Sequence, residues 1–294
     1  MKILVTGGDG FIGSHLCEAL RKELHEVVVL DNHETSFSTT CFGNDVCNYN
    51  TVEKMIQGCG FVFHLAHVVG VAMVRSRLWD TVRYGLEGTL IVVDVCVDYG
   101  VPMLLASSSE VYGPNRDHSF PWYSMNSRMV YPVTKLAQEL IVRTDEELDW
   151  RIARIFNTIG PRQLADYGMV VPSFVRAALR GDDLIVHGSG TQVRWFAHVK
   201  DTVAQLIDLM YQSSGVVRDV GDSIECSIND LAELIIKMTG SNSKIAHVAK
   251  PFGDSYGDLY RVKPVVGFKS TKTIEGLLED VITWWKQNPG LWEV

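Results

Sequence analysis

Short hydrophobic runs alternate with stretches of helical periodicity along the first half of the chain. Five runs have the length and apolar composition of buried strands. They lie at 2–6, 27–31, 61–66, 102–107 and 150–156. Helical patterns separate most of them, at 11–23, about 80–98 and about 131–148. Strands that alternate with helices predict an α/β protein with a doubly wound parallel sheet, covered on both faces.

After Asn157 the pattern loosens into shorter segments. Strands are predicted at 184–188 and 194–199, and helices at 171–181, about 201–212, 228–239 and 272–287. We therefore expect two lobes. Residues 1–158 would hold the sheet, with elements from about 187–220 returning to it, and residues 159–294 would build a smaller mixed α/β lobe. A lobe beside the carboxyl ends of the strands would close a ligand pocket.

Composition narrows the class of protein. Of the 294 residues, 46% are hydrophobic and 21% charged, which is ordinary for a globular protein. The net charge of −8 argues against a non-specific nucleic-acid binder. No run approaches the roughly 18 apolar residues of a membrane span, so we expect a cytoplasmic protein without a membrane partner. The cysteines show neither a CxxC pair nor metal-ligand spacing, so we expect reduced thiols and no metal site; they are residues 17, 41, 47, 59, 96 and 226.

Glycines at 7, 10 and 13 form the pattern GxxGxxG between the first strand and the first helix. Such glycines let the backbone approach a pyrophosphate, and the helix N-terminus favours its negative charge. The alternative is a tight turn with no ligand. Asp31 ends the second strand about 20 residues further on, where a carboxylate binds the adenosine ribose and repels a 2′-phosphate. The sequence thus predicts a Rossmann-type NAD-binding domain, with NAD favoured over NADP.

Tyr131 and Lys135 stand four residues apart in the segment YPVTK, at the start of a predicted helix. This spacing places both side chains on one helix face. A lysine ammonium and an oxidised nicotinamide, both positive, lower a tyrosine pKa from about 10 and let the phenol act as a base near neutral pH. The alternative, an ordinary amphipathic helix start, is disfavoured by the glycine motif upstream.

Several ordered motifs resemble the extended short-chain dehydrogenase/reductases, and more narrowly their NAD-dependent nucleotide-sugar epimerase/dehydratase family. The resemblance runs from Met1 to about Trp285. Beside Asp31, the motifs that carry it are TGGDGFIGSH (6–15), HLA (64–66), SSSEVYG (107–113), YPVTK (131–135), RIFNTIGPRQ (154–163) and GSGTQVRWFAHVKD (188–201).

The resemblance implies roles for individual residues. Tyr131 would take the proton of a sugar hydroxyl as its hydride passes to NAD, Lys135 would hold the nicotinamide ribose and tune Tyr131, and Ser108 would hydrogen-bond the reacting oxygen. Glu110 would join this catalytic group. The implied substrate contacts, toward a UDP-sugar, are Ser109, Asn157, Arg194 and Arg261. The implied cofactor contacts are Gly7, Gly10, Phe11, Ile12, Gly13, Asp31, Asn32, Asp45, Val46, Leu65, Ala66, Tyr131 and Lys135.

The chain also departs from the family pattern. The usual RxPD segment is out of register by one residue, so Arg261 could be replaced by Lys263 as a phosphate ligand. The usual asparagine of an NxxGT pattern is Gly85, and HLAA has become HLAH, which places His67 near the nicotinamide. A histidine there is more often a packing or hydrogen-bonding residue than a catalyst.

The segment Ser107–Glu110 leaves the exact reaction open. Plain 4-epimerases of this family usually have a small residue where Glu110 stands, and Ser109 replaces the aspartate of ordinary dehydratases. The pair Ser109-Glu110 resembles the UDP-glucuronate decarboxylases, but Val262 occupies the place of their C-terminal arginine. By itself, Glu110 could simply cap a turn. We expect a UDP-sugar 4-epimerase first, a UDP-glucuronate decarboxylase or another keto-intermediate dehydratase second, and a non-catalytic NAD-binding regulator third.

The resemblance further implies a homodimer, built by pairing the helices at about 80–98 and 131–148. The alternative is that their apolar residues pack only on the sheet of their own chain. Those residues are Val92, Val93, Val95, Leu136 and Leu140.

Overall fold

The structure is a computed structural model that describes residues 1–32, 44–113, 129–250, 262–268, 270 and 272–292. Six parallel strands form its central sheet in the order β2-β1-β3-β4-β5-β9. This is the predicted doubly wound sheet, and each predicted strand of the first half is present. The strands are β1 (Lys2–Thr6), β2 (Glu26–Leu30), β3 (Phe61–His64), β4 (Met103–Ser108), β5 (Trp150–Ile155) and β9 (Val216–Val220).

Helices cover both faces of this sheet, and its strands are therefore buried on both sides. One hydrophobic core lies on one face and includes Leu16 and Leu206. A second core lies on the other face and includes Val92 and Val95. The first core involves α1 (Phe11–Lys22) and α7 (Val199–Met210); the second involves α2 (Tyr49–Ile56), α4 (Leu78–Asp98) and α5 (Val130–Thr144). A short α3 (Val71–Ser76) precedes α4.

The helix α5 ends at Thr144, four residues before the predicted end at Leu148. The carboxylate of Asp145 accepts hydrogen bonds from the backbone N–H groups of Glu147 and Leu148, at 3.0 and 3.1 Å. A side chain that satisfies these donors locally stabilises a turn instead of another turn of helix.

The remaining elements build a separate hydrophobic core around Phe174, Leu231 and Trp285. A three-stranded sheet has the order β10-β8-β6, and β7 pairs with β11. These strands are β6 (Asn157–Ile159), β7 (Leu184–His187), β8 (Val193–His198), β10 (Ile224–Ser227) and β11 (Ile245–Val248). The helices are α6 (Val170–Arg180), α8 (Ile228–Thr239) and α9 (Ile274–Gln287).

Of the segment 187–220, α7 packs on the central sheet and β9 joins it, whereas β8 pairs with β6 and β10. The two-lobe division therefore stays a prediction. Among the helices that the structure describes, none is long and apolar enough to cross a membrane. Cysteines 17, 47, 59, 96 and 226 are free thiols, and Cys41 lies outside the described residues.

Candidate active site

The glycine loop packs directly against the backbone at the end of β3. Gly7 has φ +73°, and a Cβ atom there would lie 2.8 Å from the backbone nitrogen of Ala66. A Cβ on Gly13 would lie 2.1 Å from the carbonyl oxygen of Gly7. Since real Cβ atoms do not approach other atoms so closely, only glycine fits at 7 and 13, and the predicted spacing has a steric cause.

The start of α1 fits a bound diphosphate. Its N-cap is Gly10, which brings no capping side chain to the first N–H groups of the helix. Such groups, together with the helix dipole, favour an anionic ligand. Phe11 and Ile12 follow and are partly buried against the core.

Asp31 lies directly after β2 and beside the glycine loop. Its Oδ2 accepts a hydrogen bond of 2.9 Å from the backbone nitrogen of Asp9, and only 9% of the residue is exposed. The structure thus brings the loop and the predicted ribose-binding carboxylate together at one edge of the sheet, the arrangement that fits a dinucleotide. Leu65 and Ala66 lie at the same edge, where the Ala66 nitrogen donates to Thr6 Oγ1 at 3.2 Å.

The other predicted cofactor contacts have mainly local roles in this structure. One oxygen of Asp45 accepts from the Cys47 nitrogen at 2.9 Å, and the other lies 3.3 Å from Arg83 Nη2. Val46 is 4% exposed and packs among the residues of the α4 face. Asn32 is exposed at the end of the described segment after β2. Contact of these three residues with a cofactor stays a prediction.

The strand β4 leads into a 3₁₀ turn, Ser109–Tyr112, that carries the predicted serine and acid. The Ser108 hydroxyl accepts a 3.2 Å hydrogen bond from the Glu110 nitrogen, so it caps this turn. It is also hydrogen-bonded to the Tyr131 side chain. Ser108 therefore caps the turn, and its contact with a reacting oxygen stays a prediction; Ser109 is buried at the start of the turn.

Tyr131 and Lys135 lie at the start of α5, the helix that the YxxxK spacing predicted, and α5 packs against this turn. Lys135 is 3% exposed, and its Nζ donates a 2.7 Å hydrogen bond to the Ala106 carbonyl. Burial lowers the pKa of Lys135 to about 7, and the Glu139 carboxylate opposes this shift. Its ammonium lies 6.0 Å from the centre of the Tyr131 ring.

The lowering of the Tyr131 pKa by Lys135 together with an oxidised nicotinamide stays a prediction, and the groups of the protein alone shift this pKa upward. Burial of the phenol raises its pKa, and the charge of Glu110 raises it further, while the hydrogen bond with Ser108 lowers it. The sequence spacing indicated that lysine and tyrosine share a helix face but could not show the burial of the phenol.

His67 packs edge-on against Tyr131, with ring centroids 5.4 Å apart and planes at 90°. Its Nδ1 lies 2.7 Å from the Val68 carbonyl, and its buried Nε2 has no hydrogen-bond partner among the described residues. A Cβ on Gly85 would meet this Nε2 at 2.8 Å and Thr134 Cγ2 at 2.3 Å. The two departures from the family pattern are thus in contact: His67 fills the space beside Gly85, and burial keeps the pKa of His67 well below its usual value.

The predicted substrate contacts Asn157 and Arg194 lie on the neighbouring strands β6 and β8. Asn157 Nδ2 donates to the Trp195 carbonyl at 3.1 Å, and Arg194 Nη1 donates to the Val193 carbonyl at 2.7 Å. Arg261 lies outside the described residues.

Sequence reasoning missed Glu139 as part of this site. Its carboxylate accepts a 2.6 Å hydrogen bond from the Ser107 hydroxyl and acts on the pKa of Lys135. The signal was available, because Glu139 follows Lys135 by four residues and so lies on the same face of α5.

Comparison with known proteins identifies the family of this chain. The model of the family described as "NAD dependent epimerase/dehydratase family" matches residues 3–220. The chain belongs to this family. NAD is therefore its cofactor, and its chemistry is the modification of nucleotide sugars.

Relatives match this chain along nearly its whole length in sequence. A UDP-N-acetyl-alpha-D-glucosaminuronate decarboxylase of Bacillus cytotoxicus is 31% identical, over 97% of this chain and 98% of the relative. UDP-glucuronic acid decarboxylase 1 of Xenopus tropicalis is 32% identical, over 97% of this chain and 72% of that protein.

Solved structures of the family superpose over almost the whole chain. MoeE5 in complex with UDP-glucuronic acid and NAD is 29% identical, with a TM-score of 0.82 over 98% of this chain and 100% of that chain. A UDP-glucose 4-epimerase of Thermotoga maritima has a TM-score of 0.85 over 98% of this chain and 100% of that chain, at 24% identity, and this likeness shows the fold alone.

Proposed function

We propose that this family member is a UDP-uronate decarboxylase, which oxidises the sugar at C4 and releases its carboxylate as CO₂. The observation that carries the proposal is the position of Glu110, in the turn capped by Ser108, from which its charge raises the pKa of the Tyr131 phenol. This activity was the second expectation from the sequence, behind 4-epimerisation. The decarboxylase relatives, which match along nearly the whole chain, favour it over the first.

Three residues would handle the C4 hydroxyl. When bound, NAD would accept the hydride from C4 and return it to the C4 ketone after carbon dioxide has left, and its oxidised nicotinamide would supply a positive charge that lowers a nearby phenol pKa. Tyr131 would take the hydroxyl proton, and Ser108, already hydrogen-bonded to Tyr131, would hold the same oxygen. Lys135 Nζ is held by the Ala106 carbonyl, which fixes its charge beside Tyr131.

Glu110 gives the reason to prefer decarboxylation over epimerisation. A ketone at C4 of a uronic acid is β to the carboxylate, so the C5–C6 bond can break with release of CO₂. The electron pair of that bond is left on C5, conjugated with the ketone, and C5 then needs a proton. The Glu110 carboxyl group beside Tyr131 is suited to deliver that proton. Simple epimerisation at C4 needs no acid at this position.

One observation favours 4-epimerisation as the second candidate. Val262 occupies the place of the C-terminal arginine that the resemblance to decarboxylases implies. It is 4% exposed and packs against Tyr112, Met129 and Phe156. This position offers no cation to a substrate carboxylate. A neutral sugar would need none.

Product analysis tests the proposal. The purified protein with NAD would be incubated separately with UDP-glucuronate, UDP-N-acetylglucosaminuronate, UDP-glucose and dTDP-glucose, and the products followed by proton NMR. We expect a UDP-pentose or its N-acetylated counterpart from a uronate substrate. A C4 epimer with the carboxylate retained would contradict decarboxylation, and a 4-keto-6-deoxy sugar would indicate dehydration.

Tyr131→Phe separates an enzyme from a non-catalytic NAD-binding regulator. We expect this variant to bind NAD and to lose turnover, because it lacks only the hydroxyl that exchanges a proton. If the wild-type protein binds NAD but converts none of these sugars, the regulator becomes the better description.

For the substrate diphosphate we propose Asn157 and Arg194 as ligands, since β6 and β8 place them on adjacent strands, and Arg261 as a further one. Arginine is suited to bidentate contact with phosphate. Arg194→Met should raise the KM for the nucleotide sugar with little change in NAD affinity. An unchanged KM would remove Arg194 from the site.

We also propose that the protein forms a homodimer through α4 and α5. Val92, Val93 and Val95 of α4 are buried in the core beneath, which is the alternative that the sequence left open for them. Leu90 and Leu140 are instead 47% and 55% exposed on α4 and α5. Light scattering on the wild type and on Leu140→Glu tests this, with a monomeric variant expected.

A further inference from the structure

A buried ion pair links Glu139, described above beside Ser107 and Lys135, to Arg154, which has so far been given no role. Arg154 on β5 donates to both carboxylate oxygens of Glu139 on α5, from Nε at 2.9 Å and from Nη2 at 2.6 Å. Glu139 is 1% exposed and Arg154 is 8% exposed. Paired in this bidentate way, the two charges tolerate burial.

The glutamate of this pair reaches the start of the catalytic turn. Glu139 Oε1 accepts the 2.6 Å hydrogen bond from Ser107, the residue immediately before Ser108. Glu139 also follows Lys135 by one turn of α5. A single carboxylate therefore connects the helix that carries Tyr131 and Lys135 to the strand end that carries Ser108.

The arginine reaches the other end of the same turn. Its guanidinium lies 4.6 Å from the centre of the Tyr112 ring. The Tyr112 hydroxyl donates a 2.5 Å hydrogen bond to Asp219 on β9, and the second oxygen of Asp219 accepts from the Val265 nitrogen at 2.8 Å. The turn Ser109–Tyr112 is thus held from both ends by groups bound to one ion pair.

We propose that Glu139 and Arg154 are positioning residues that set the distance between the two halves of the reaction centre, the turn with Ser108 and Glu110 and the helix with Tyr131 and Lys135. This inference rests on the proposed function for the meaning of that centre. Reacting groups held in the correct geometry contribute several orders of magnitude to a rate, and a displacement of about 1 Å can cost roughly 100-fold. Neither residue needs to touch substrate for this role.

The glutamate has a second effect that a packing residue would lack. Its negative charge opposes the lowering of the Lys135 pKa by burial. Removing that charge should lower the pKa of Lys135 further below its present value of about 7. The fraction of charged Lys135 near neutral pH would fall, and activity that needs the ammonium would decline at a lower pH than in the wild type.

A double variant separates positioning from stability. Buried ion pairs can often be replaced by apolar side chains of similar volume without loss of folding. Glu139→Met with Arg154→Met should therefore fold and bind NAD, yet show kcat on the converted nucleotide sugar lower by about 100-fold with KM changed by less than about threefold. Asp208→Met with Arg218→Met is the control, an exposed pair at 2.5 Å that should keep wild-type kcat.

Two single variants complete the test and cover failure of the double variant to fold. Arg154→Lys keeps a cation opposite Glu139, so its kcat should lie between that of the double variant and that of the wild type. Glu139→Gln keeps the shape of the side chain but removes its charge, so the alkaline limb of the kcat profile should move to lower pH. In the same variant, NMR titration of lysine labelled with ¹³C at Cε should show a lower Lys135 pKa.

The outcomes are distinguishable from failure of the proposed function. If the wild type converts no nucleotide sugar, the proposed function fails, and the Lys135 titration still tests the coupling to Glu139. A folded double variant with kcat within about threefold of the wild type would overturn the inference. An unchanged Lys135 pKa and kcat profile in Glu139→Gln would overturn it as well.

Discussion

Replacing Lys135 with methionine should change how the stability of the protein depends on pH. The lysine is 3% exposed, and burial lowers its pKa from the ordinary 10.5 to about 7. Between these two values the unfolded chain keeps a proton that the folded protein has released. The free energy of unfolding of the wild type should therefore rise with pH in this window, relative to a variant without the amine.

The size of this effect follows from the two pKa values. Below pH 7 both states hold the proton, so the difference between wild type and Lys135→Met is constant there. From pH 7 to pH 9 the wild type should gain about 2 kcal/mol relative to the variant. All other titrating groups are common to both proteins and cancel in the comparison.

Urea unfolding followed by tryptophan fluorescence at pH 7, 8 and 9, without added NAD, measures this difference. Lys286→Met removes an exposed lysine of α9 and is the matched control, for which the curve should run parallel to the wild type. Parallel curves for Lys135→Met as well would refute the reasoning, because they would show that the buried ammonium keeps an ordinary pKa.

Three further substitutions test other parts of the site. Gly13→Ala should weaken NAD binding at least about tenfold in calorimetry, since its methyl group would lie 2.1 Å from the Gly7 carbonyl oxygen; unchanged affinity would contradict the fit of the loop. Gly85→Ala should lower the free energy of unfolding by roughly 1–3 kcal/mol in urea, because its methyl group would meet Thr134 Cγ2 at 2.3 Å; an equally stable variant would show that α4 and α5 can separate freely. Glu110→Gln should lower kcat on a uronate substrate by about 100-fold or more with NAD affinity unchanged, and full activity would leave Glu110 as a turn residue only.

Local patterns predicted the first half of the fold well because its strands are continuous apolar runs and the helices α1, α4 and α5 between them are long and periodic. The short elements escaped this reasoning. The strand β6 has three residues, Asn157–Ile159, and α2 lies after a stretch without a clear period. Such segments are held by their neighbours in space, and nothing in their own sequence separates them from loops.

The site was predictable where spacing along the chain has a steric meaning. The glycines at 7 and 13 are required by contacts of the loop with itself and with β3, and the YxxxK spacing follows from the helix. Sequence spacing could not predict the group formed by Ser107, Glu139 and Arg154, because its members come from three separate elements, β4, α5 and β5. The direction of the Tyr131 pKa depended on burial and on Glu110, which only the packed structure reveals.

The release of the sugar carboxylate tests the central claim most directly. The purified protein, supplied with NAD and UDP-glucuronate labelled with ¹³C at C6, would be followed by carbon NMR in a sealed tube. The account predicts that the label leaves as carbon dioxide and bicarbonate in step with the formation of UDP-pentose. Label that stays in the sugar while C4 inverts would contradict decarboxylation and would restore the 4-epimerase.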